Sequence, residues 1–397
     1  MIDLASLRRF PDVEAPNLFA VDATDRLLLD SAAEWVTERA DDPVHERGLS
    51  GDQISVLGDH YGALTLGLAD RFGLTGLRSY QDELTGERAL AANAARFGLT
   101  GAYRSLALGP ELLAGARLVV LQLPKGLDEL AEIAGLIAEH AKPDVQVLAG
   151  GRVKYLTPAM NEVLGRSFET VTAGLARQKS RVLFARDPRA ERPPVGFPRQ
   201  EWHPDEQLWV CAHGGAFAGT GIDIGTRRLI AHLAALPDTA PEETVIDLGC
   251  GTGVLATLLA RQGRRVIATD RSAVAVASAR ATAVANEVQY TVCRDDALDD
   301  QPDDSAALIV CNPPFHLGAA VHAGGAERLF RGAARVLRPG GQLWTVYNRH
   351  LGYSGLLEQV IGPTRVVHRD AKFNVAASRR TAALPRGGAK PHNEAGS

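Results

Sequence analysis

The sequence predicts an α/β protein built twice over, each half a parallel sheet flanked by helices. Three observations carry this expectation. At 397 residues the chain is longer than one ordinary domain. Residues 245–260 read as strand, tight turn and helix: Val245, Ile246 and Leu248 run into Gly249-x-Gly251-x-Gly253, and apolar residues at helical spacing follow. The same unit stands 191 residues earlier, at residues 54–69, with Gly58 falling on Gly249 and Gly62 on Gly253. Repetition at that period marks a tandem duplication.

Taken in order, residues 1–25 are a lead-in with Pro11 and Pro16, and residues 24–35 have the pattern of a capped amphipathic helix. After the first glycine unit, residues 118–125 (Leu-Val-Val-Leu-Gln-Leu-Pro-Lys) fall on residues 308–315 (Leu-Ile-Val-Cys-Asn-Pro-Pro-Phe) at an offset of 190. The helix expected at 127–141 matches one near 326–337, and the strand at 180–185 matches 372–377. Polar residues of the second copy have no partner in the first. Val56 replaces Asp247, His60 replaces Gly251, Ser79 or Tyr80 stands where Asp270 would be, and Gln-Leu-Pro-Lys replaces Asn-Pro-Pro-Phe. The expected organisation is a degenerate domain over 1–190, a proline-rich linker over 191–204, a working domain over 205–380 and a disordered tail over 381–397. Residues 177–199 hold seven Lys/Arg against two acids, which suits a solvated linker and equally an RNA-facing strip.

The second copy carries the chemistry. Glycine tolerates positive φ and lets a ligand lie on bare backbone. Asp270 ends the second strand, where a carboxylate can take both hydroxyls of a ribose. The spacing is G-x-G-x-G, not the dinucleotide G-x-G-x-x-G, and Asp247 precedes it, which would repel a pyrophosphate and suits a cation. Cys250 lies within this turn; Arg271 or Ser272 is a candidate to line an adenine, and Asp296 to accept from its amino group. The glycine-rich loop at 215–226 is a candidate lid, with Phe217, Asp223 and Thr226 as contacts, or else a plain helix entry. At Asn312-Pro313-Pro314-Phe315, the Asn312 side-chain oxygen and the Pro313 carbonyl can hold the two hydrogens of an amine attached to a planar ring. The prolines stiffen the loop and Phe315 offers a stacking face.

The glycine motif resembles the first motif of methyltransferases that bind S-adenosylmethionine, and Asn-Pro-Pro-Phe resembles the motif of those acting on planar nitrogens. With Gly221-Ile-Asp-Ile-Gly225, the run Arg331 to Gly341, Asn348-Arg-His-Leu-Gly-Tyr353 and Lys372-Phe-Asn-Val375, residues 20–380 resemble the two-domain bacterial ribosomal-RNA guanine-N2 methyltransferases, closer to the large-subunit type. The resemblance implies tandem Rossmann-like class I methyltransferase folds, each a seven-stranded, mostly parallel sheet with one reversed strand. It also implies S-adenosylmethionine as cofactor, ribosomal RNA as partner and guanine N2 as acceptor. Cofactor contacts are expected from Asp247, Gly249, Cys250, Gly251, Gly253, Asp270, Arg271, Asp296, Asn312, Phe217 and Thr226, and catalysis from Asn312, Pro313, Pro314 and Phe315. Asn-Pro-Pro-Phe leaves two alternatives open, methylation of a protein glutamine or of a small molecule. A non-catalytic RNA-binding assembly factor is a third.

Composition sets outer bounds. Hydrophobic residues make up 45% and charged residues 23%, as in an ordinary soluble domain. The apolar runs are too short to span a membrane and the N-terminus lacks a signal-peptide pattern, so a cytoplasmic protein is expected, and a monomer is expected besides. The four cysteines are scattered, which indicates neither a zinc site nor a disulfide framework. A net charge of −4 and a pI near 6.3 argue mildly against a binder of naked duplex.

Overall fold

The computed structural model describes residues 2–40, 49–192, 194–313 and 319–381. The first half contains strands β1 (Ile54–Leu57), β2 (Leu77–Tyr80), β3 (Tyr103–Ser105), β4 (Leu118–Gln122), β5 (Gln146–Arg152), β6 (Phe168–Ala173) and β7 (Ser180–Pro188). Around them lie helices α1 (Ala23–Ala40), α2 (Ala63–Phe72), α3 (Leu84–Arg96), α4 (Pro110–Leu113), α5 (Leu127–His140) and α6 (Pro158–Gly165). A hairpin of β8 (Arg199–His203) and β9 (Leu208–Ala212) follows. The second half runs α7 (Ile224–Ile230), β10 (Thr244–Leu248), α8 (Val254–Arg261), β11 (Arg265–Asp270), α9 (Ala273–Ala285), β12 (Thr291–Arg294) and β13 (Ala306–Cys311). It continues with α10 (Ala319–Val336), β14 (Leu337–Asn348), α11 (Ser354–Val360), β15 (Thr364–Arg369) and β16 (Phe373–Arg379).

The duplication is visible in the sheets. Each has seven strands, ordered β3-β2-β1-β4-β5-β7-β6 and β12-β11-β10-β13-β14-β16-β15. In each, the seventh strand in sequence is inserted antiparallel and the others near the centre run parallel. Both faces of both sheets are covered by apolar clusters, which is why the central strands are buried without alternation: Ile54–Leu57 and Val245–Leu248 are buried throughout. Three-residue 3-10 turns at Val153–Tyr155 and Arg349–Leu351 follow the fifth strand of each copy.

Two expectations shift. The stretch read as linker holds the strand Arg199–His203, which pairs antiparallel with Leu208–Ala212 around a Pro-Asp-Glu-Gln turn. The residue of the first copy that matches Asp270 is Gln81, not Ser79 or Tyr80. Leu57 pairs with Tyr80 as Leu248 pairs with Thr269, so the residue one further on takes the strand end. The expected tail from 382 onward lies outside the described residues. Among the described residues no helix is long and apolar enough to cross a membrane.

The two halves are joined by polar contacts. Arg88 of α3 reaches Asp299 and Asp300, Arg294 reaches Glu87 at 2.7 Å, and Arg199 makes paired bonds to Asp128 at 2.7 and 2.8 Å. Glu132 of α5 accepts from Gly214 N at 2.7 Å and lies 2.6 Å from His213 Nδ1, which tethers the start of the glycine-rich loop to the first half.

Candidate active site

Register places the site. Leu248 pairs with Thr269 on one side and Cys311 on the other, so Gly249, Asp270 and Asn312 leave three adjacent parallel strands at the same level. This is the carboxyl edge of the sheet, at the point where the strand order reverses. A pocket of about 410 Å³ opens there, a size suited to one small ligand. Asp247, Gly249, Cys250, Gly251, Asp270, Arg271, Asp296, Phe217, Thr226, Asn312 and Pro313 all line it. Pro314 and Phe315 lie outside the described residues.

The three glycines have two different jobs. Gly249 and Gly251 hold φ of 73° and 52°, and a Cβ built on either meets nothing within 4 Å. Their bare backbone faces the pocket. Gly253 is not part of its lining: a Cβ there would stand 2.6 Å from Tyr290 Oη and 3.0 Å from Ala279 Cα. It is a packing glycine that seats α8 against α9, and the sequence expectation of a ligand contact does not fit its position.

Asp270 organises this loop. Its Oδ2 accepts from Gly251 N at 3.0 Å and its Oδ1 from Ser272 N at 3.0 Å. Burial raises its pKa, and these two amides oppose the rise. Each oxygen keeps a lone pair for a further donor such as a ribose hydroxyl. Asp247, 1% exposed, accepts from Ala256 N at 2.9 Å, and burial pushes its carboxyl up to about 7, with the charge of Asp270 adding to the effect. Asp296 lines the pocket but pairs with Arg328 of α10 at 2.7 Å, so its carboxylate is already engaged by a cation.

Asn312 has the most directive geometry. Its Nδ2 donates to Asp223 Oδ2 at 3.0 Å and to Thr226 Oγ1 at 3.0 Å. Thr226 Oγ1 in turn donates to Asp223 Oδ2 at 2.5 Å, and Asp223 caps α7 by accepting from Gly225 N at 2.8 Å. A carboxylate can only accept, so the orientation of the amide is fixed: nitrogen toward Asp223, oxygen away from it. Among the described residues, Asn312 Oδ1 is left buried with no hydrogen-bond partner. An unmade bond at a buried acceptor is costly unless a ligand completes it. Gly225 makes room for this carboxamide, since a Cβ there would sit 3.0 Å from Oδ1. Asp223 and Thr226, expected from sequence as lid contacts, thus act first as the brace of Asn312. Their spacing to Asn312 (86 residues or more) carries no local signal.

The corresponding place in the first half is closed. Asp59, fully buried, accepts from Gly62 N, Leu64 N and Thr65 N at 3.2, 3.1 and 2.7 Å. Thr65 is the counterpart of Ala256, whose amide Asp247 takes in the second half. The carboxylate lost at Val56 has been replaced from the loop itself, and it takes amides at the start of the helix, including the counterpart of the one Asp247 takes in the second half. Gln122, the counterpart of Asn312, donates to Asp25 Oδ1 at 2.5 Å. Sequence reading also missed that the first half helps wall the second pocket, through Asp12, Val13, Asp82, Glu83 and Thr85.

Comparison with known proteins gives the family and the fold. Residues 3–189 match the model of the RLMG N-terminal domain and residues 207–377 that of the Methyltransferase small domain. A protein of Streptomyces coelicolor named ribosomal RNA large subunit methyltransferase G is 36% identical over 380 residues, covering 93% of this chain and 96% of its own. The chain belongs to the ribosomal RNA large subunit methyltransferase G family. The Pseudomonas aeruginosa member is 34% identical over 373 residues, with 92% and 95% covered. Similarity to the family therefore runs through both halves and includes the degenerate one. Among solved structures, the T. thermophilus 16S rRNA N2 G1207 methyltransferase in complex with AdoMet and guanosine superposes with a TM-score of 0.69 at 21% identity. It covers 90% of this chain and 92% of that one, and confirms the tandem fold.

Proposed function

We propose that the chain transfers a methyl group from S-adenosylmethionine to the exocyclic N2 of a guanine in large-subunit ribosomal RNA, using one site, in the second half. The observation that carries this reading is Asn312 Oδ1, without a partner among the described residues, on a carboxamide braced by Asp223 and Thr226 at the wall of a pocket whose other wall is bare glycine backbone. The residues suit the cofactor. Asp270 offers two oxygens to a ribose, Gly249 and Gly251 leave space along the backbone, and Asp247 supplies buried negative charge for a cationic ligand.

S-Adenosylmethionine, when bound, supplies an electrophilic methyl on a sulfonium. The protein must orient the acceptor. An amine on a purine ring is a poor nucleophile because its lone pair is delocalised into the ring. Asn312 Oδ1 takes one N–H and the Pro313 carbonyl the other, which holds the amine in place and turns its lone pair toward the methyl donor. Because Asp223 and Thr226 fix the carboxamide before substrate arrives, little reorganisation remains at the moment of reaction.

The relatives' names support ribosomal RNA, and the large subunit in particular, as the substrate. On this reading the enzyme works in the cytoplasm as a monomer, with residues 205–380 catalytic and residues 1–190 non-catalytic. The experiment is methyl transfer from labelled S-adenosylmethionine to purified large- and small-subunit RNA, followed by nucleoside mass spectrometry. N2-methylguanosine in the large-subunit RNA is expected. Label appearing only in protein or in small molecules would overturn the assignment.

A further inference from the structure

The two copies meet through the same segment of each, the turn that follows the second strand. Leu84 N donates to Arg271 O at 3.0 Å and Ala273 N to Asp82 O at 2.9 Å, with Glu83 and Ser272 opposite each other as an antiparallel bridge. Residues 82–84 are the counterparts of 271–273, so each bond is the image of the other and the contact is isologous within one chain. Side chains follow the same exchange. Arg271 reaches Glu83 at 2.7 Å, and Asp82 Oδ1 accepts from Ser272 Oγ at 2.9 Å and from Val274 N at 2.8 Å. Arg294 fastens the turn by donating to the carbonyls of Gln81 and Asp82 at 2.8 and 3.0 Å.

These bonds lead straight to the cofactor residues. Ser272 N is one of the two donors that orient Asp270, and the other is Gly251 N in the glycine turn. An unbroken line of hydrogen bonds therefore runs from Asp82 through Ser272 and Asp270 to Gly251. Asp82 and Glu83 also form part of the pocket wall beside Asp270, Arg271 and Ser272. Val274 N is an orphan amide in the first turn of α9, and it takes its acceptor from the other domain.

We infer that the degenerate half is a working part of the cofactor site, and that Asp82 is a positioning residue that sets Ser272, and through it the ribose-binding carboxylate of Asp270. This rests on the methyltransferase reading above and deepens it: the first copy has lost its own site and completes its neighbour's. The loss of catalytic residues in the first half and the retention of its fold then have one explanation, because the pocket needs that surface.

The test uses the full chain and two substitutions. Asp82→Ala removes the acceptor of two donors. Asp82→Asn keeps an oxygen in the Oδ1 position, where both donors point. For Asp82→Ala, calorimetry should show S-adenosylmethionine bound roughly tenfold more weakly, the effect of two lost hydrogen bonds of ordinary strength. The KM for cofactor should rise in step, with kcat at saturating cofactor and the KM for RNA unchanged. Asp82→Asn should bind within about threefold of wild type. The proposal is overturned if Asp82→Ala binds like wild type, or if Asp82→Asn is as weak as Asp82→Ala. It is also overturned if kcat falls while the KM for cofactor stays fixed, which is what mere loss of folded protein gives. Wild-type protein that fails to bind S-adenosylmethionine at all would instead refute the methyltransferase reading.

Discussion

A single methyl group added at Gly251 or at Gly253 should do opposite things. Gly251 has φ of 52° and empty space where its Cβ would be. Alanine there bears only the left-handed strain, about 1–2 kcal/mol, and lowers the melting temperature by a few degrees. The empty space is where the ligand is expected to lie, so the methyl overpacks the complex by about 1–3 kcal/mol, a loss of roughly 5- to 150-fold in affinity. At Gly253 the strain is similar, with φ of 79°, but the Cβ would meet Tyr290 Oη at 2.6 Å and Ala279 Cα at 3.0 Å. Tyr290 cannot easily withdraw, because its hydroxyl donates to the Ala279 carbonyl at 2.9 Å and lies 3.1 Å from Thr257 Oγ1. Gly253→Ala should therefore cost about 2–5 kcal/mol of stability and leave affinity within about threefold, since one kcal/mol is roughly fivefold. Isothermal titration with S-adenosylmethionine, run well below the melting point of each variant, together with thermal unfolding, measures both. Wild-type affinity in Gly251→Ala would refute the assignment of the glycine turn as the cofactor cradle. A binding loss at Gly253 as large as that at Gly251 would refute the division between cradle and packing glycine.

Three more outcomes follow from the same geometry. Asp270→Ala removes a charged acceptor proposed to hold two ribose hydroxyls. At about 1.5–3 kcal/mol for a charge-assisted bond, calorimetry should show a ten- to hundredfold weaker complex. Asp247, with its pKa pushed up to about 7, is protonated below neutral pH in the free protein, so binding a cationic ligand there must expel a proton. Affinity for S-adenosylmethionine should fall as pH drops from 8 to 6, by up to about tenfold per unit below 7. The slope belongs to Asp247 and Asp270 jointly, and Asp247→Asn should flatten most of it. For stability the sign is opposite: a buried acid with a raised pKa contributes most below its unfolded value, and that contribution fades as pH rises toward 7. His60→Gly in the first half should not create a second binding site, because Val56 and Gln81 still stand where Asp247 and Asp270 would be; a titration stoichiometry of two would contradict this.

What could be read from the sequence was what is local or periodic. The strand, glycine turn and helix of residues 245–260 are a continuous pattern, and its repetition at 54–69 announced two copies and the fold of each. Gly249, Asp270 and Asn312 could be placed at one edge of the sheet because strand ends in a parallel sheet fall at predictable places. Gly253 misled because its spacing is shared by a cradle and a packing contact, and only the neighbour across the turn, Tyr290, separates the two. The assignment of Ser79 or Tyr80 to the Asp270 position failed by one or two residues for a similar reason: strand pairing, not counting, fixes the register. The brace of Asn312 by Asp223 and Thr226, and the wall supplied by Asp82 and Glu83, join residues 86 to 192 positions apart and left no trace in any window. Asp59 carried a faint signal, a carboxylate appearing inside a glycine turn that had lost the one before it.

The most direct measurement is nucleoside mapping of ribosomal RNA from cells that lack this gene, complemented with wild type or with Asn312→Ala. Removing a positioned polar group at a reacting centre costs roughly 10²–10³ in rate. Asn312→Ala should therefore fail to restore one N2-methylguanosine of the large-subunit RNA that wild type restores. The same purified variant should bind S-adenosylmethionine within about twofold of wild type, since a twofold change is under half of one kcal/mol and Asn312 is assigned to the amine. An Asn312→Ala variant that restores the modification, or that loses the cofactor while keeping its turnover per bound cofactor, would contradict the account.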